Sequence, residues 1–177
     1  HKKFADGGEV IVWETGRAGE EAASYENLFL RKEIAGFRTN IRREQSCSIK
    51  SLTRDYLYKQ LLSSGEYTFD HMLVIKDPYG EAPLTALALF ILEEPACVRV
   101  TTKGNLKETD FVTELPKKKE HRVPILGMYA EKANDIVIEI LDDEGNCVKS
   151  HTFTIRTKRL PKSLRKNGPT NRRIPIL

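Results

Sequence analysis

The sequence has no long apolar run, and this shortage excludes a helix that spans a membrane. Its longest uninterrupted apolar stretch covers residues 86–92, far fewer than the roughly 20 residues of a membrane-spanning helix. His1-Lys2-Lys3 leads into acidic and glycine residues, so the first segment lacks the pattern of a secretory signal. The 40% hydrophobic and 31% charged residues are instead ordinary for a soluble globular protein.

Cysteine, histidine and glycine are too scarce or too widely spaced for the common metal, redox and phosphate motifs. Cys47, Cys97 and Cys147 form no CxxC pair, so neither a zinc nor a redox site is indicated. We expect three unpaired, partly buried thiols, with a disulfide between two of them as the alternative. No two of the histidines have metal-ligand spacing, and no glycine-rich phosphate loop is present. We predict no metal site, no bound cofactor and no cofactor-binding residue.

The net charge of +4 comes from two local runs, Lys117-Lys118-Lys119 and residues 158–173. The second run contains proline and glycine and lacks interleaved aromatic residues, which nucleic-acid-binding segments usually carry. We therefore expect residues 162–177 to form a basic flexible tail or linker. The alternative is nucleic-acid binding through the cations of this tail, which are Arg165, Lys166, Arg172 and Arg173.

Residues 1–66 are predicted to form a helical N-terminal segment. Between residues 17 and 31, apolar residues recur at helical spacing, at Ala22, Tyr25, Leu28 and Phe29. A second helix is predicted to begin near Ser46 or Ser48 and to end at Ser64-Gly65, which has the pattern of a C-terminal cap. Its apolar side is predicted to carry Leu52, Tyr56, Leu57, Leu61 and Leu62.

From residue 67 the hydrophobic period changes to two, and turn residues recur at short intervals. Seven strands are predicted, at residues 68–76, 84–93, 97–103, 110–115, 121–126, 135–142 and 147–157. The last two are joined by the turn Asp143-Glu144-Gly145-Asn146. The profile is typical of an immunoglobulin-like or fibronectin-like antiparallel β-sandwich of about seven strands. We place this sandwich at residues 67–161, so the chain is predicted to be mostly β.

The stretch DPYGEAPLTALALF, residues 77–90, places rigid turn residues directly before the most apolar strand. Pro78 and Gly80 are predicted to form a tight turn, and Pro83 disfavours a helix before Leu84. Both faces of the strand that follows are largely apolar, whereas a sandwich strand normally has one apolar face. We expect the N-terminal helices to cover the second face.

Several motifs, in order along residues 67–161, resemble the N-terminal immunoglobulin-like domain of bacterial aryl-sulfate sulfotransferases. They are the PYG…PLTAL strand, the HRVPILGMY segment, the N-x-(V/I) strand, the D-x-x-G-N hairpin and the T-x-x-LP exit. The first comprises Pro78–Gly80 and residues 83–87, and the second comprises His121 with residues 123–125 and 127–129. The last three comprise residues 134–137, 142–146 and 157–161, in that order. Residues 1–66 resemble the helical lead-in of that domain less specifically.

The resemblance implies that this chain is one part of an enzyme. The family transfers a sulfuryl group from a phenolic sulfate to another phenol, with catalytic residues in a β-propeller that follows the sandwich. We therefore expect a non-catalytic accessory domain, inactive alone, that braces the propeller, a homodimer or both. The resemblance also implies a periplasmic or extracytoplasmic location.

No residue is predicted to be catalytic in this chain. A histidine nucleophile needs an orienting partner and cations nearby; His121 lies beside Arg122 and the lysine run, but we expect a histidine at the edge of a strand. His71 precedes an apolar strand and has no acidic pair in useful spacing, and His151, which alternates inside a strand, is expected to be a surface or half-buried residue. Turn chemistry explains Asp142, Asp143 and Glu144, with weak calcium binding as the alternative. Tyr129 is expected to bond backbone at a corner of the sandwich.

Two other functions are alternatives. One is a free-standing fibronectin-like binding or adhesion module, for which the sequence offers neither a ligand groove nor an aromatic platform. The other is sulfuryl transfer by this chain alone, which would need clustered histidine and arginine residues around His121.

Overall fold

The structure is a computed structural model that describes residues 2–3, 8–32 and 43–160, with residues 2–3, 24–32 and 43–50 as backbone only. Its strands are β1 (Lys2–Lys3), β2 (Glu9–Trp13), β3 (His71–Lys76), β4 (Ala86–Thr102), β5 (Phe111–Ile125), β6 (Ala133–Leu141) and β7 (Cys147–Arg156). Its helices are α1 (Thr15–Lys32) and α2 (Arg43–Ser63), and a short 3-10 turn covers Lys107–Thr109. The predicted flexible tail at 162–177 lies outside the described residues.

Helix α2 ends where the sequence predicts. Gly65 adopts a φ of 72°, in the left-handed region that favours glycine, and its N–H donates to the Leu62 carbonyl at 3.1 Å. The predicted apolar side of α2 is only partly correct. Leu57 and Leu62 are buried, but Leu52 is half exposed, and the fully buried Tyr58 takes part in the core instead.

Strand β4 corrects the predicted strands 84–93 and 97–103, because one continuous strand crosses Pro95. In the same way, β5 crosses Pro116 and unites the predicted strands 110–115 and 121–126. The pairing between β4 and β5 shifts register between Ile91 and Ala96 and again between Ala96 and Val98. The prolines therefore lie at β-bulges, where a missing N–H costs no ladder hydrogen bond.

The β4–β5 hairpin is folded back on itself at these bulges. A straight strand of this length would separate its ends by about 50 Å. However, a Cβ atom added to Gly127, just beyond the end of β5, would lie 2.7 Å from the Cβ of Phe111 at its start. Both ends of β5 therefore meet at one end of the molecule, which we call the exit end. The bulges lie at the opposite end, which we call the bulge end.

The folded hairpin divides the described strands between two layers. Strand β5 pairs along one edge of β4, while β3 pairs with the first half of the other edge and β6 with the second half. One layer thus has the order β1-β2-β3-β4-β5, and the other has the order β7-β6-β4-β5. The chain is mostly β and forms an immunoglobulin-like β-sandwich, as predicted.

One strand pairing differs from the predicted antiparallel pattern. Strand β2 lies parallel to β3, with Glu9 opposite His71 and Trp13 opposite Ile75. The short apolar piece at the start of the sequence is therefore part of the sheet. The proposed division of the chain at residue 66 stays a prediction.

Two apolar cores lie on opposite faces of β3 and β4. The first fills the space between the layers and contains Met72, Phe90, Val100, Ile138 and Phe153, among others. The second lies between the outer face of the first layer and the helices, and includes Trp13, Leu57, Tyr58, Leu73 and Leu89. The expectation that the N-terminal helices cover the second apolar face of β4 is therefore confirmed.

Candidate functional site

A groove of about 830 Å³ lies at the bulge end, where the two layers diverge. Its apolar floor includes Phe69, Leu92 and Leu141. Both the bulge of β4 and the turn between β6 and β7 contribute to its walls. Its volume falls within the range of small-molecule sites. We call this feature the bulge-end groove.

Two ion pairs lie on the rim of the bulge-end groove. Lys117 of β5 pairs with Asp143 in the β6–β7 turn, and Lys149 of β7 pairs with Asp70 just before β3. The hydrogen bond from Lys149, with a second from His151, holds the pKa of Asp70 below its usual range. These lysines are therefore neutralised locally and do not form a free anion site.

His151 and His121 are buried in the first core and take part in an aromatic row. The His151 ring stacks on Phe69 with centroids 4.5 Å apart, and the His121 ring stacks on Phe90 at 5.3 Å. Phe69 and Phe90 meet edge to face at 5.4 Å. The row thus spans the core from one histidine to the other, which indicates a packing role for both rings.

The hydrogen bonds of the two buried histidines are also structural. The His121 Nε2 lies 2.9 Å from the Lys118 carbonyl oxygen, and burial lowers the pKa of the His121 imidazole. The His151 Nε2 lies 2.9 Å from the Asp70 carboxylate. His121 also lines a small pocket of about 150 Å³ with Arg122, but its ring is fully buried. His121, expected at the edge of a strand, and His151, expected at the surface or half-buried, are therefore both core residues.

The other candidate residues are dispersed. The exposed His71 lies 3.6 Å from Glu9, and His1 lies outside the described residues. The Asp142 carboxylate accepts the N–H groups of Glu144 and Asn146 at 2.9 and 2.8 Å. These bonds, that of Asn146 above all, lower the pKa of Asp142. The acidic cluster therefore stabilises its own turn.

No site for a metal ion is evident within the described part of the chain, where no three His, Cys, Asp or Glu residues cluster suitably. Cys97 and Cys147 carry free thiols, and Leu141 of the intervening strand separates them. The side chain of Cys47 lies outside the described residues, as do the tail cations named above. No described helix has the length and apolar character needed to cross a membrane.

The DPYG turn attaches helix α2 to the sandwich. The Pro78 carbonyl accepts hydrogen bonds from Arg54, at 2.6 Å, and from the buried Tyr58 hydroxyl. Burial raises the pKa of Tyr58, so its hydroxyl remains a donor. The next residue, Tyr79, donates to the Asp55 carboxylate at 2.7 Å. The rigid turn residues before the apolar strand therefore form the docking point of a helix.

Arg122 of β5 extends this docking point onto the far side of β4. Its guanidinium contacts the Asp55 carboxylate and donates to the Tyr79 hydroxyl at 3.1 Å. The cation that sequence reasoning placed beside His121 thus turns toward α2. Its role in the described structure is to join β5 to the helix.

At the exit end, Asn134 has the corner role that the sequence assigned to Tyr129. The buried Asn134 side chain accepts the Tyr129 N–H at 2.7 Å and donates to the carbonyls of Tyr129 and Lys132, both at 3.1 Å. The Thr157 hydroxyl donates to the same Tyr129 carbonyl at 2.5 Å. The Tyr129 ring is partly exposed and lies 4.9 Å from the Lys132 ammonium. The tyrosine-corner expectation was therefore wrong.

Sequence reasoning missed the bulge-end groove and the roles of Asp70, Asn134 and Asp55. The groove exists because the two halves of a folded hairpin diverge, and no local pattern in the sequence signals that fold. The available signal for Asn134 was its position two residues before Ile136 and four before Ile138, which places a polar residue on the inward face of the strand. Asp55 had no comparable signal, since its partners are distant in sequence.

Comparison with known protein families gives a match for the sandwich. Residues 73–158 match the model of a family described as the arylsulfotransferase Ig-like domain. The matched segment runs from β3 to just beyond β7 and includes the DPYG turn, Asn134 and Thr157. No curated protein and no solved structure matches the chain.

Proposed function

Residues 73–158 belong to the family of arylsulfotransferase Ig-like domains, the accessory N-terminal domains of such enzymes, and from this we propose that a separate domain of the same protein carries out sulfuryl transfer. That domain is a β-propeller following the sandwich in the chain. It moves a sulfuryl group from a phenolic sulfate to a second phenol. The sandwich braces it and contributes to a homodimer in a periplasmic or extracytoplasmic location.

The packing of the interior histidines supports catalysis outside this chain. A histidine nucleophile must reach its substrate and have a cation beside the developing charge. The rings of His121 and His151 are about 1–2% exposed and stack on phenylalanines. Arg122 is engaged with Asp55 and Tyr79. The arrangement suits a core and not a reactive site.

The observation that carries the bracing role is the exposed apolar surface at the exit end. Leu106, Leu126 and Tyr129 are 66%, 37% and 36% exposed. Leu106 lies in the loop between β4 and β5, and Leu126 and Tyr129 lie in a second loop, between β5 and β6. A hydrogen bond between Lys132 and Asn105 joins the two loops. Thr157, just after the last strand, bonds the second loop, so the chain leaves the sandwich beside this surface. A linker to a domain that follows would therefore start next to it.

The experiment compares the 177-residue chain with the protein extended to its native C-terminus. Both are assayed with nitrophenyl sulfate as donor and a phenol as acceptor. We expect turnover only for the extended protein. Turnover by the 177-residue chain that is abolished by His121→Ala would overturn the assignment of catalysis to another domain.

The bracing role has its own test in the extended protein. Leu106→Asp places a charge on the exit-end surface and is expected to shorten the half-life of activity at elevated temperature severalfold. Val148→Asp introduces the same charge at an equally exposed position at the bulge end and is the matched control. Equal half-lives for both variants and the parent protein would contradict a contact at the exit end.

A second candidate is a free-standing binding module, which the bulge-end groove favours. Sequence reasoning found no groove, whereas the structure has one of about 830 Å³. Sequencing the native gene beyond the codon for Leu177 separates the two functions. A frame that continues into repeated four-stranded blades supports the accessory role, and a stop codon supports the binding module.

A further inference from the structure

Strand β5 has an open edge in both layers of the sandwich. Among the described strands it pairs with β4 alone, so the backbone groups on its other side face no neighbouring strand. Such a row of N–H and C=O groups is a template for an additional strand, and natural proteins usually protect it with lysine, proline or bulges.

The two parts of this edge differ in protection. The stretch from Pro116 to Lys119 has the bulge, the proline and three lysines. The stretch from Phe111 to Leu115 has neither proline nor lysine, and reads Phe-Val-Thr-Glu-Leu. Farther along, Pro124 interrupts residues 120–125, so these five residues are the longest part of β5 that has neither proline nor lysine.

Exposed apolar side chains lie on and around the unprotected edge. Phe111 is 43% exposed and Val112 is 51% exposed. The close approach of Gly127 to Phe111 places the neighbouring Leu126 beside this edge. The open backbone and the exposed apolar side chains therefore coincide, which is the combination that strand addition needs.

The opposite edge of the second layer, formed by β7, contacts side chains from the first layer. The Lys76 ammonium donates to the Arg156 carbonyl at 3.0 Å. Asp70 binds Lys149 and His151 farther along the same strand. Strand β7 therefore offers a weaker template, although Val148 on it is exposed.

We propose that residues 111–115 of β5 pair with the same residues of a second copy of this chain. The segment is self-complementary in an antiparallel pair centred on Thr113. Phe111 then lies opposite the second copy's Leu115, and Val112 opposite its Glu114. A symmetric pair of this kind closes after two copies and joins the two second layers into one continuous sheet.

The charges around Glu114 are compatible with this pairing. In the proposed register the two Glu114 side chains are diagonal neighbours. Within each copy, the Arg99 guanidinium lies 2.8 Å from the Glu114 carboxylate and 3.7 Å from that of Glu139. Arg99 therefore neutralises Glu114 before the copies meet, and Val112 packs against the aliphatic part of the opposite glutamate.

The test measures the mass of the 177-residue chain by sedimentation equilibrium over about 1–200 µM, a range that detects micromolar dissociation constants. The parent chain is expected to dimerise. Val112→Glu places like charges opposite each other twice and is expected to raise the dissociation constant about tenfold or more. Val148→Glu, at the exposed valine of β7, is expected to leave it unchanged.

A second substitution tests the register itself. In Val112→Lys the new cation lies opposite Glu114 of the second copy, so dimerisation should weaken less than in Val112→Glu. Amide hydrogen exchange within residues 111–115 should be slower at high protein concentration than at low concentration. Neither result is expected if the copies meet through another surface.

A parent chain that remains monomeric throughout, or equal effects of Val112→Glu and Val148→Glu, would overturn the proposal. The inference rests on the homodimer included in the proposed function, but not on the propeller domain. The two failures are distinguishable, because dimerisation is measured with the 177-residue chain and sulfuryl transfer with the extended protein.

Discussion

At the scale of single residues, buried polar side chains determine the shape of the exit end. Asn134 is about 1% exposed and accounts for three hydrogen bonds to the backbone of the loop at residues 126–132. A short amide can bond both an N–H and carbonyls at once, which an apolar residue cannot. The motif residues Asn134 and Thr157 therefore hold this loop in place.

Asn134→Ala should lower the free energy of unfolding by about 2–4 kcal/mol, because it leaves the Tyr129 N–H and nearby carbonyls buried without partners. Urea denaturation followed by circular dichroism measures this change. Asn105→Ala, which removes an exposed amide from the other exit-end loop, is the control and should cost less than about 0.5 kcal/mol. Similar losses for both variants would contradict the assigned role of Asn134.

His121 makes stability depend on pH in a defined direction. Burial lowers the pKa of its imidazole in the folded chain, so the unfolded chain binds more protons as the pH falls below about 6.5. The contribution of neutral His121 is complete above that pH and is lost below it. The four carboxylates with lowered pKa values, Glu14, Asp70, Asp110 and Asp142, lose their contributions only nearer pH 4.

The urea midpoint should therefore fall between pH 7.5 and pH 5, and this fall should be smaller in His121→Phe, which keeps a ring against Phe90. His71→Gln is the control, because it removes an exposed imidazole and leaves the packing of the core unchanged. If the urea midpoint of His121→Phe falls between pH 7.5 and pH 5 by as much as that of the parent chain, the protonation of another group dominates.

At the scale of elements, helix α2 shows which parts of a helical pattern can be read from sequence. Its existence, its end at Ser64-Gly65 and the burial of Leu57 and Leu62 follow from spacing and cap chemistry. The exposure of Leu52 does not. The helix meets the sheet near the DPYG turn, so Tyr58 faces the core, and Leu52 lies beyond the contact.

This difference gives a matched pair of substitutions on one helix. Leu57→Ala should lower the free energy of unfolding by about 2–4 kcal/mol, because it leaves a cavity in the second core. Leu52→Ala makes the same chemical change at a half-exposed position and should cost less than about 0.5 kcal/mol. Chemical denaturation of both variants measures these changes. Comparable losses would place Leu52 in a packed environment and contradict the docking of α2.

The strands show a second limit of sequence reasoning. Strands β6 and β7 were predicted nearly to their ends, because their alternation is regular and a D-x-x-G-N turn joins them. Strands β4 and β5 were each predicted as two, because Pro95 and Pro116 read as turn residues. Bulge pairing is a property of two strands together, so one strand's sequence does not reveal it. The parallel partner of β2 is hidden for the same reason.

At the scale of the whole molecule, β3 and β4 belong to both apolar cores. Leu73 and Leu89 face the helices, while Val74 and Phe90 face the opposite layer. Removing either core would expose one face of the same two strands. The N-terminal segment also supplies β2 to the first layer. The helices and the sandwich therefore stabilise each other.

We expect the helices and the sandwich to unfold in a single transition. Trp13, the one tryptophan in the sequence, is buried in the second core, so its fluorescence follows the packing of the helices. Circular dichroism near 215 nm follows the strands. The two probes should give the same urea midpoint. A lower midpoint for Trp13 would instead favour an N-terminal segment that unfolds independently.

The parallel pairing of β2 with β3 also has a consequence during protein synthesis. The ribosome adds about 5–20 residues per second, so several seconds pass between the emergence of Val10 and that of its neighbour Met72 on β3. Until then Val10 and Trp13 have no sheet to join. Strand β2 is therefore made well before its partner β3, and until β3 emerges a nascent chain of this protein carries an apolar segment that chaperones would recognise.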